Sequence, residues 1–156
     1  LQKALQSNLE LVGPPKFNEK ELEFAYSLQK HMGLAGKGFC QEILPLSQTP
    51  DPVSGGSSDI AEISRIAPTA GIRITTAAAG IPWHGWAATA CHGNGAGAKG
   101  AVVAAKVIAA TCVDLLTRPD LLQEAKTFFN EATGGENYSS PVPADKKPPE
   151  GIKNKQ

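Results

Sequence analysis

The sequence predicts an α/β fold with helices packed on a sheet, from its composition, its helical stripes and one alternating segment. Hydrophobic residues make up 41% of the 156 residues and aromatic residues only 6%, so the core consists mainly of small aliphatic side chains. Apolar residues recur at helical spacing in several segments, whereas residues 69–76 alternate with the period of two that is typical of a strand. The length allows one domain at most. The mixture of patterns predicts helices packed on a sheet and joined by functional loops.

Charge and cysteine content exclude several classes of protein. Lys plus Arg and Asp plus Glu both number 15, which argues against a nucleic-acid binder driven by bulk positive charge. The cysteines number three and lack Cys-x-x-Cys spacing, which argues against a secreted disulfide framework. Because polar residues interrupt the longest apolar segment, 100–116, we expect no membrane span. A cytoplasmic location is the expectation.

The clearest local signal is a capping box that opens a helix near Glu19. Asn18 can accept a hydrogen bond from the backbone of Glu21, whose side chain reaches back to the Asn18 backbone. Gly33 is suited to the left-handed end of this helix. Its apolar residues form one stripe that predicts packing on a core, namely Leu22, Ala25, Leu28 and Met32.

A second helical region lies in the C-terminal half. Residues 101–117 are apolar on nearly all sides, which predicts a core helix buried on several sides. Thr117 and Asp120 resemble a second capping box with Pro119 in the first turn, and the helix that follows is expected to end at Gly134.

A loop around Gly56, Ser57 and Ser58 is a candidate binding segment. Its backbone N–H groups and hydroxyls could meet an anionic or carbonyl group. Alternatively, Ser58 caps a short helix over 59–63 whose charged residues form an exposed face. The residues themselves leave both alternatives open.

His84 is the strongest candidate for a chemical role. It lies in a loop rich in Gly and Pro, and Trp83 and Trp86 could exclude water around an imidazole that binds a metal. A lone histidine is more often a hydrogen-bonded structural residue, because a zinc site needs about three or four ligands. Cys91 and His92 do not follow His84 at a standard zinc spacing.

Residues 95–100 match the pattern Gly-x-Gly-x-x-Gly and precede a helix, where N–H groups can hold a pyrophosphate. A dinucleotide fingerprint follows an apolar strand, but residues 86–92 contain no β-branched apolar residue. Lys99 follows Ala98 rather than Gly, which excludes a Walker loop. Dinucleotide binding is therefore the weaker alternative.

Several short blocks occur in an order that resembles a known family. They are residues 55–60, 63–64, 68–69, 80–82, His84, Trp86 and 98–100. Together they resemble the C-terminal part of the aminoacylase-like di-zinc amidohydrolases, a metallopeptidase family, in the branch that contains the B subunit of p-aminobenzoyl-glutamate hydrolase. The likeness extends from about Asn8 to the Pro-rich tail and so covers most of the chain.

The resemblance implies an α/β fold with helices packed on a mixed sheet. Residues 14–137 would be the C-terminal half of a zinc-peptidase-like catalytic domain, residues 1–13 a connector from an absent lid and dimerisation domain, and residues 138–156 an extended or disordered tail. The first segment of the catalytic domain, which supplies most metal ligands and the general base in the family, would lie outside this chain.

The resemblance also implies the site residues. His84 alone maps onto a family metal ligand, and Gly56, Ser57 and Ser58 map onto the segment that lines the substrate cleft. No catalytic residue maps onto this chain. Two zinc ions are implied, with manganese or cobalt as alternatives. Because Ala98 stands where close relatives are expected to have His, His92 is a candidate for partial compensation.

The implied function is that of part of a metal-dependent amidohydrolase, inactive by itself, that cleaves N-acyl amino acids, dipeptides or aroyl-glutamates. The implied partners are a small-molecule amide, the absent N-terminal segment and lid, and further subunits in a homo- or hetero-oligomer, with no nucleic acid or membrane. Two alternatives remain: a non-catalytic interaction or half-subunit protein, and a dinucleotide-binding α/β domain.

Overall fold

The computed structural model describes residues 1–47 and 58–147, and there the chain forms six helices. Helices α1, α4 and α6 all contact α5, which is therefore the central element. The bounds are α1 Gln2–Val12, α2 Glu19–His31, α3 Ile60–Ser64, α4 Trp86–His92, α5 Gly95–Thr117 and α6 Pro119–Thr133.

The predicted α/β fold is wrong, since the described part of the chain is helical and contains no strand or sheet. Residues 69–76 have no regular secondary structure. Their alternation has a different cause: Arg73 is exposed, whereas Ile72 and Ile74 pack against a cluster on α1 and α5 formed by Leu5, Leu9 and Val107. A period of two therefore reflects contact with helices here rather than one face of a sheet.

Helix α2 forms as its sequence predicts. Asn18 Oδ1 accepts a hydrogen bond from the Glu21 backbone at 3.0 Å, and Glu21 Oε2 accepts one from the Asn18 backbone at 2.8 Å. Gly33, with a φ of 66°, follows the end of the helix in the left-handed conformation. The predicted stripe is confirmed, because its four residues are buried or partly buried in one core cluster.

Helix α5 begins at Gly95, earlier than predicted, with the Asn94 side chain capping the backbone of Ala96 at 2.8 Å. Asn8 of α1 donates to Thr111 at 3.1 Å and to Asp114 at 2.7 Å. The expected burial on several sides is only partly found, since large side chains on α5 remain exposed: Val102, Ile108, Val113 and Leu116.

By length and composition alone, α5 is apolar enough to cross a bilayer, contrary to the expectation from its polar interruptions. Core helices of soluble proteins meet the same criterion, so a single such helix is weak evidence for a membrane span.

Helix α6 has Pro119 in its first turn and ends at Gly134 as predicted, but its N-terminal cap differs from the prediction. Pro119 occupies the first turn, and Gly134 ends the helix with a φ of 64°. The predicted second capping box is wrong, because the Thr117 hydroxyl donates to the carbonyl of Val113 at 2.8 Å and Arg118 is the residue that precedes the first turn.

The glycines of the Gly-x-Gly-x-x-Gly segment allow close packing of the backbone. A methyl group at Gly97 would lie 2.7 Å from the Cα of His92, and one at Gly100 would lie 2.5 Å from the carbonyl oxygen of Thr75. Because no side chain fits at either position, the need for glycine is explained without a bound pyrophosphate.

We expect Gly97→Ala to lower the free energy of unfolding by about 1–3 kcal/mol, because the added methyl group overlaps the backbone at the end of α4. Chemical denaturation of the folded chain would measure this change. Gly71→Ala is the matched control, since a methyl group there meets nothing within 4 Å. Equal stability of the two variants would contradict the packing role of Gly97.

Candidate functional site

His84 lies in an exposed loop that ends where α4 begins. Its φ of 65° is left-handed, and among the residues that the structure describes it is the one residue other than glycine with a positive φ. This conformation costs an L-residue with a Cβ about 1–2 kcal/mol. Backbone strain of this kind tends to occur at functional sites, where the surrounding structure maintains it.

The segment before this loop is fixed by the fully buried side chain of Gln29 on α2. Gln29 Nε2 donates to the carbonyl of Ala79 at 2.8 Å, and Gln29 Oε1 accepts from the backbone of Gly38 at 2.9 Å. The Ala79 backbone also donates to the Gly38 carbonyl at 2.8 Å. Together with the buried side chain of Ile81, these bonds give the His84 loop a rigid base.

The loop and α4 surround an open depression of about 500 Å³, which we call the tryptophan depression. The side chains of Trp83 and Trp86 are each 65% exposed. The Trp83 ring lies 5.6 Å from the His92 ring, at an interplanar angle of 36°. The lining residues are Trp83, His84, Gly85, Trp86, Ala88, Thr89 and His92.

The described residues do not make a complete metal site. No group of three or more His, Cys, Asp or Glu side chains in the described ranges is arranged to hold a metal ion. The tryptophan depression offers the imidazoles of His84 and His92, whereas Cys91 is fully buried. Because zinc takes about four ligands in structural sites and about three from protein in catalytic ones, these two donors are too few.

The predicted substrate-facing loop is described only in part. Gly56 and Ser57 lie outside the described residues. Ser58 is exposed, and its hydroxyl accepts a hydrogen bond from the Ile60 backbone at 3.2 Å at the start of α3. Ser58 thus bonds the first turn of α3, although Asp59 rather than Ser58 is the residue that precedes this helix, and it does not line the tryptophan depression.

Sequence reasoning placed both tryptophans beside His84 but did not predict the helix over residues 86–92. The helical conformation of residues 86–92 brings Thr89 and His92 to the same depression. Residues 86 and 89 are three apart, the spacing that places side chains on one face of a helix. The composition of this segment, rich in Ala, was the available signal for a helix.

An ion pair joins α2 to the first turns of α5, near the end of α4. Lys99 Nζ lies 2.6 Å from Glu21 Oε2. The hydrogen bond from Lys99, with a second from the Asn18 backbone, lowers the pKa of the Glu21 carboxyl from its ordinary value of 4.5. Lys99 therefore has a structural partner within the chain.

We expect Lys99→Met to raise the pKa of Glu21 towards 4.5. Because folding lowers this pKa, Glu21 stabilises the fold above its unfolded-state pKa, and that contribution is lost as the pH falls through its folded-state pKa. Titration of the Glu21 carboxyl by carbon NMR measures the shift directly. Lys106→Met, a change at an exposed lysine of the same helix, is the control, and an unchanged Glu21 pKa in Lys99→Met would contradict the ion pair.

We expect His84→Gly to be more stable than His84→Ala by about 1 kcal/mol, because glycine adopts a left-handed φ without the cost of a Cβ. Thermal or denaturant unfolding of the two variants would show the difference. The same pair of changes at Glu42, an exposed position without a positive φ, is the control. There alanine is expected to equal or exceed glycine in stability, and the same order at both positions would argue against strain at His84.

No family model and no solved structure matches the chain. The chain is similar to the B subunit of p-aminobenzoyl-glutamate hydrolase from Escherichia coli (strain K12), with 28% identity over 173 aligned residues that cover 95% of this chain. It spans 36% of the length of that relative. The resemblance predicted from the short blocks is therefore confirmed: over nearly its whole length, the chain is similar to the branch of amidohydrolases that contains this B subunit.

Proposed function

We propose that this chain forms part of a metal-dependent amidohydrolase that cleaves the amide bond of N-acyl amino acids, dipeptides or aroyl-glutamates. The observation that carries the proposal is the similarity of 95% of the chain to a hydrolase of p-aminobenzoyl-glutamate, an amide between an aromatic acid and glutamate. The strained, exposed His84 loop supports it, because it presents an imidazole at an open depression.

In this proposal His84 contributes one ligand to a site for two zinc ions, or for manganese or cobalt, whose other ligands come from polypeptide outside the described residues. An exposed imidazole has a ring nitrogen free to face such a partner. The described residues also contain no group of three or more His, Cys, Asp or Glu side chains that could complete this site. The 156-residue chain by itself is therefore expected to lack hydrolase activity.

The exposed face of α5 supports the partner that this proposal requires. Val102, Ile108 and Val113 are each more than half exposed, and Leu116 is 86% exposed. An apolar surface of this kind favours contact with further polypeptide. We propose that the occupant corresponds to the part of the hydrolase relative that this chain does not match, which is the larger part of that relative's length.

The test is hydrolysis by the complete gene product that contains this sequence in its source. Its substrates would be p-aminobenzoyl-glutamate, N-acetyl amino acids and dipeptides, assayed after chelation and after addition of zinc, manganese or cobalt. We expect activity that depends on the metal, and we expect His84→Ala to reduce both metal content and turnover, the latter by roughly a hundredfold or more because metal stabilisation of a transition state is worth several kcal/mol.

His31→Ala is the matched control, because His31 is an exposed histidine on α2 that bonds the Ser27 carbonyl and does not line the tryptophan depression. Normal metal content and turnover in His84→Ala would refute the assignment of His84. A complete product that hydrolyses none of these amides with any of the metals would favour the alternative of a non-catalytic interaction or half-subunit protein.

A further inference from the structure

We propose that the tryptophan depression binds the aromatic ring of an amide substrate, with the indoles of Trp83 and Trp86 as the ring-contacting surfaces. The inference rests on the proposed function for the class of ligand, an N-aroyl amino acid. The location of the ring within the molecule rests on the structure alone.

Two large aromatic side chains are exposed at one place. Trp83 and Trp86 are each 65% exposed, and both line the same depression. They are also the only two tryptophans of the chain. Exposed indoles that line one concave surface favour a flat apolar ligand, because stacking buries area on both partners at little conformational cost.

Polar side chains share the depression with the indoles. His84, Thr89 and His92 also line the depression, so it offers hydrogen-bonding groups as well as aromatic surface. The Trp83 ring already lies 5.6 Å from the His92 ring, an aromatic contact on one side of the indole. An amide attached to a ring bound there would lie in the depression that His84 also lines, the residue proposed above as a metal ligand.

The test uses the 156-residue chain and two probes that share glutamate, namely N-benzoyl-glutamate and N-acetyl-glutamate. The two indole N–H signals in nitrogen–proton NMR spectra report directly on the depression, because both tryptophans lie there. We expect the benzoyl compound to shift both signals in a saturable manner. We expect the acetyl compound, at the same concentrations, to leave them in place.

Variants assign the contact to the indoles. We expect Trp83→Ala and Trp86→Ala each to raise the Kd of N-benzoyl-glutamate about fivefold to tenfold, the effect of one lost aromatic pair. Trp83→Phe and Trp86→Phe should retain most of the affinity. Phe128→Ala removes an exposed aromatic ring on α6, away from the residues that line the depression, and should change nothing.

Three results would overturn the inference: equal binding of the acetyl compound, binding that leaves the indole signals unchanged, or no binding of the benzoyl compound at millimolar concentration. If an alanine variant loses its helical circular dichroism, the phenylalanine variants and the comparison of the two probes decide the matter. Ring binding without hydrolysis by the complete gene product would refute the proposed function alone. Hydrolysis without any effect of the tryptophan variants would refute this inference alone.

Discussion

The close approach of other chain segments to α5 determines the rest of the structure. At Gly97 the backbone of α4 passes where a Cβ would lie, and at Gly100 the segment that precedes the His84 loop does the same. The loop therefore runs between two backbone contacts with one helix. Glycine within a helix lowers the stability of the helix by about 1 kcal/mol relative to alanine, because its backbone loses more conformational entropy on folding. The close contacts at Gly97 and Gly100 therefore come at this cost in helix stability.

The sequence predicted those features that depend on neighbouring residues. Asn18, Glu21 and Gly33 lie within one helix and its ends, so their pattern determines the capping box and the left-handed stop. Residues 69–76 could not be assigned in this way, because an alternating pattern records which side chains are covered and not what covers them. Here helices α1 and α5 cover Ile72 and Ile74.

In the candidate site, too, the sequence predicted what neighbouring residues determine and not what depends on contacts between separate segments. The sequence placed His84 between two tryptophans, but its left-handed φ and the approach of His92 to Trp83 depend on how the loop meets α4. Thr117 is a simpler case, since a hydroxyl can bond either the backbone ahead of it or the carbonyl four residues behind it. In the structure the Thr117 hydroxyl donates to the carbonyl of Val113, and no pattern in the sequence distinguishes the two outcomes.

The buried amide of Gln29 has a mechanical consequence for the site. The Gln29 side chain bonds both the Gly38 backbone and the Ala79 carbonyl, so the loops that contain Gly38 and Ala79 are attached to α2 through the same residue. If these hydrogen bonds break, the buried Gln29 amide, the Gly38 N–H and the Ala79 carbonyl all lose their partners, which makes the release of one loop alone unfavourable. The loops around Gly38 and Ala79 are therefore expected to open together, because both depend on the same side chain of α2.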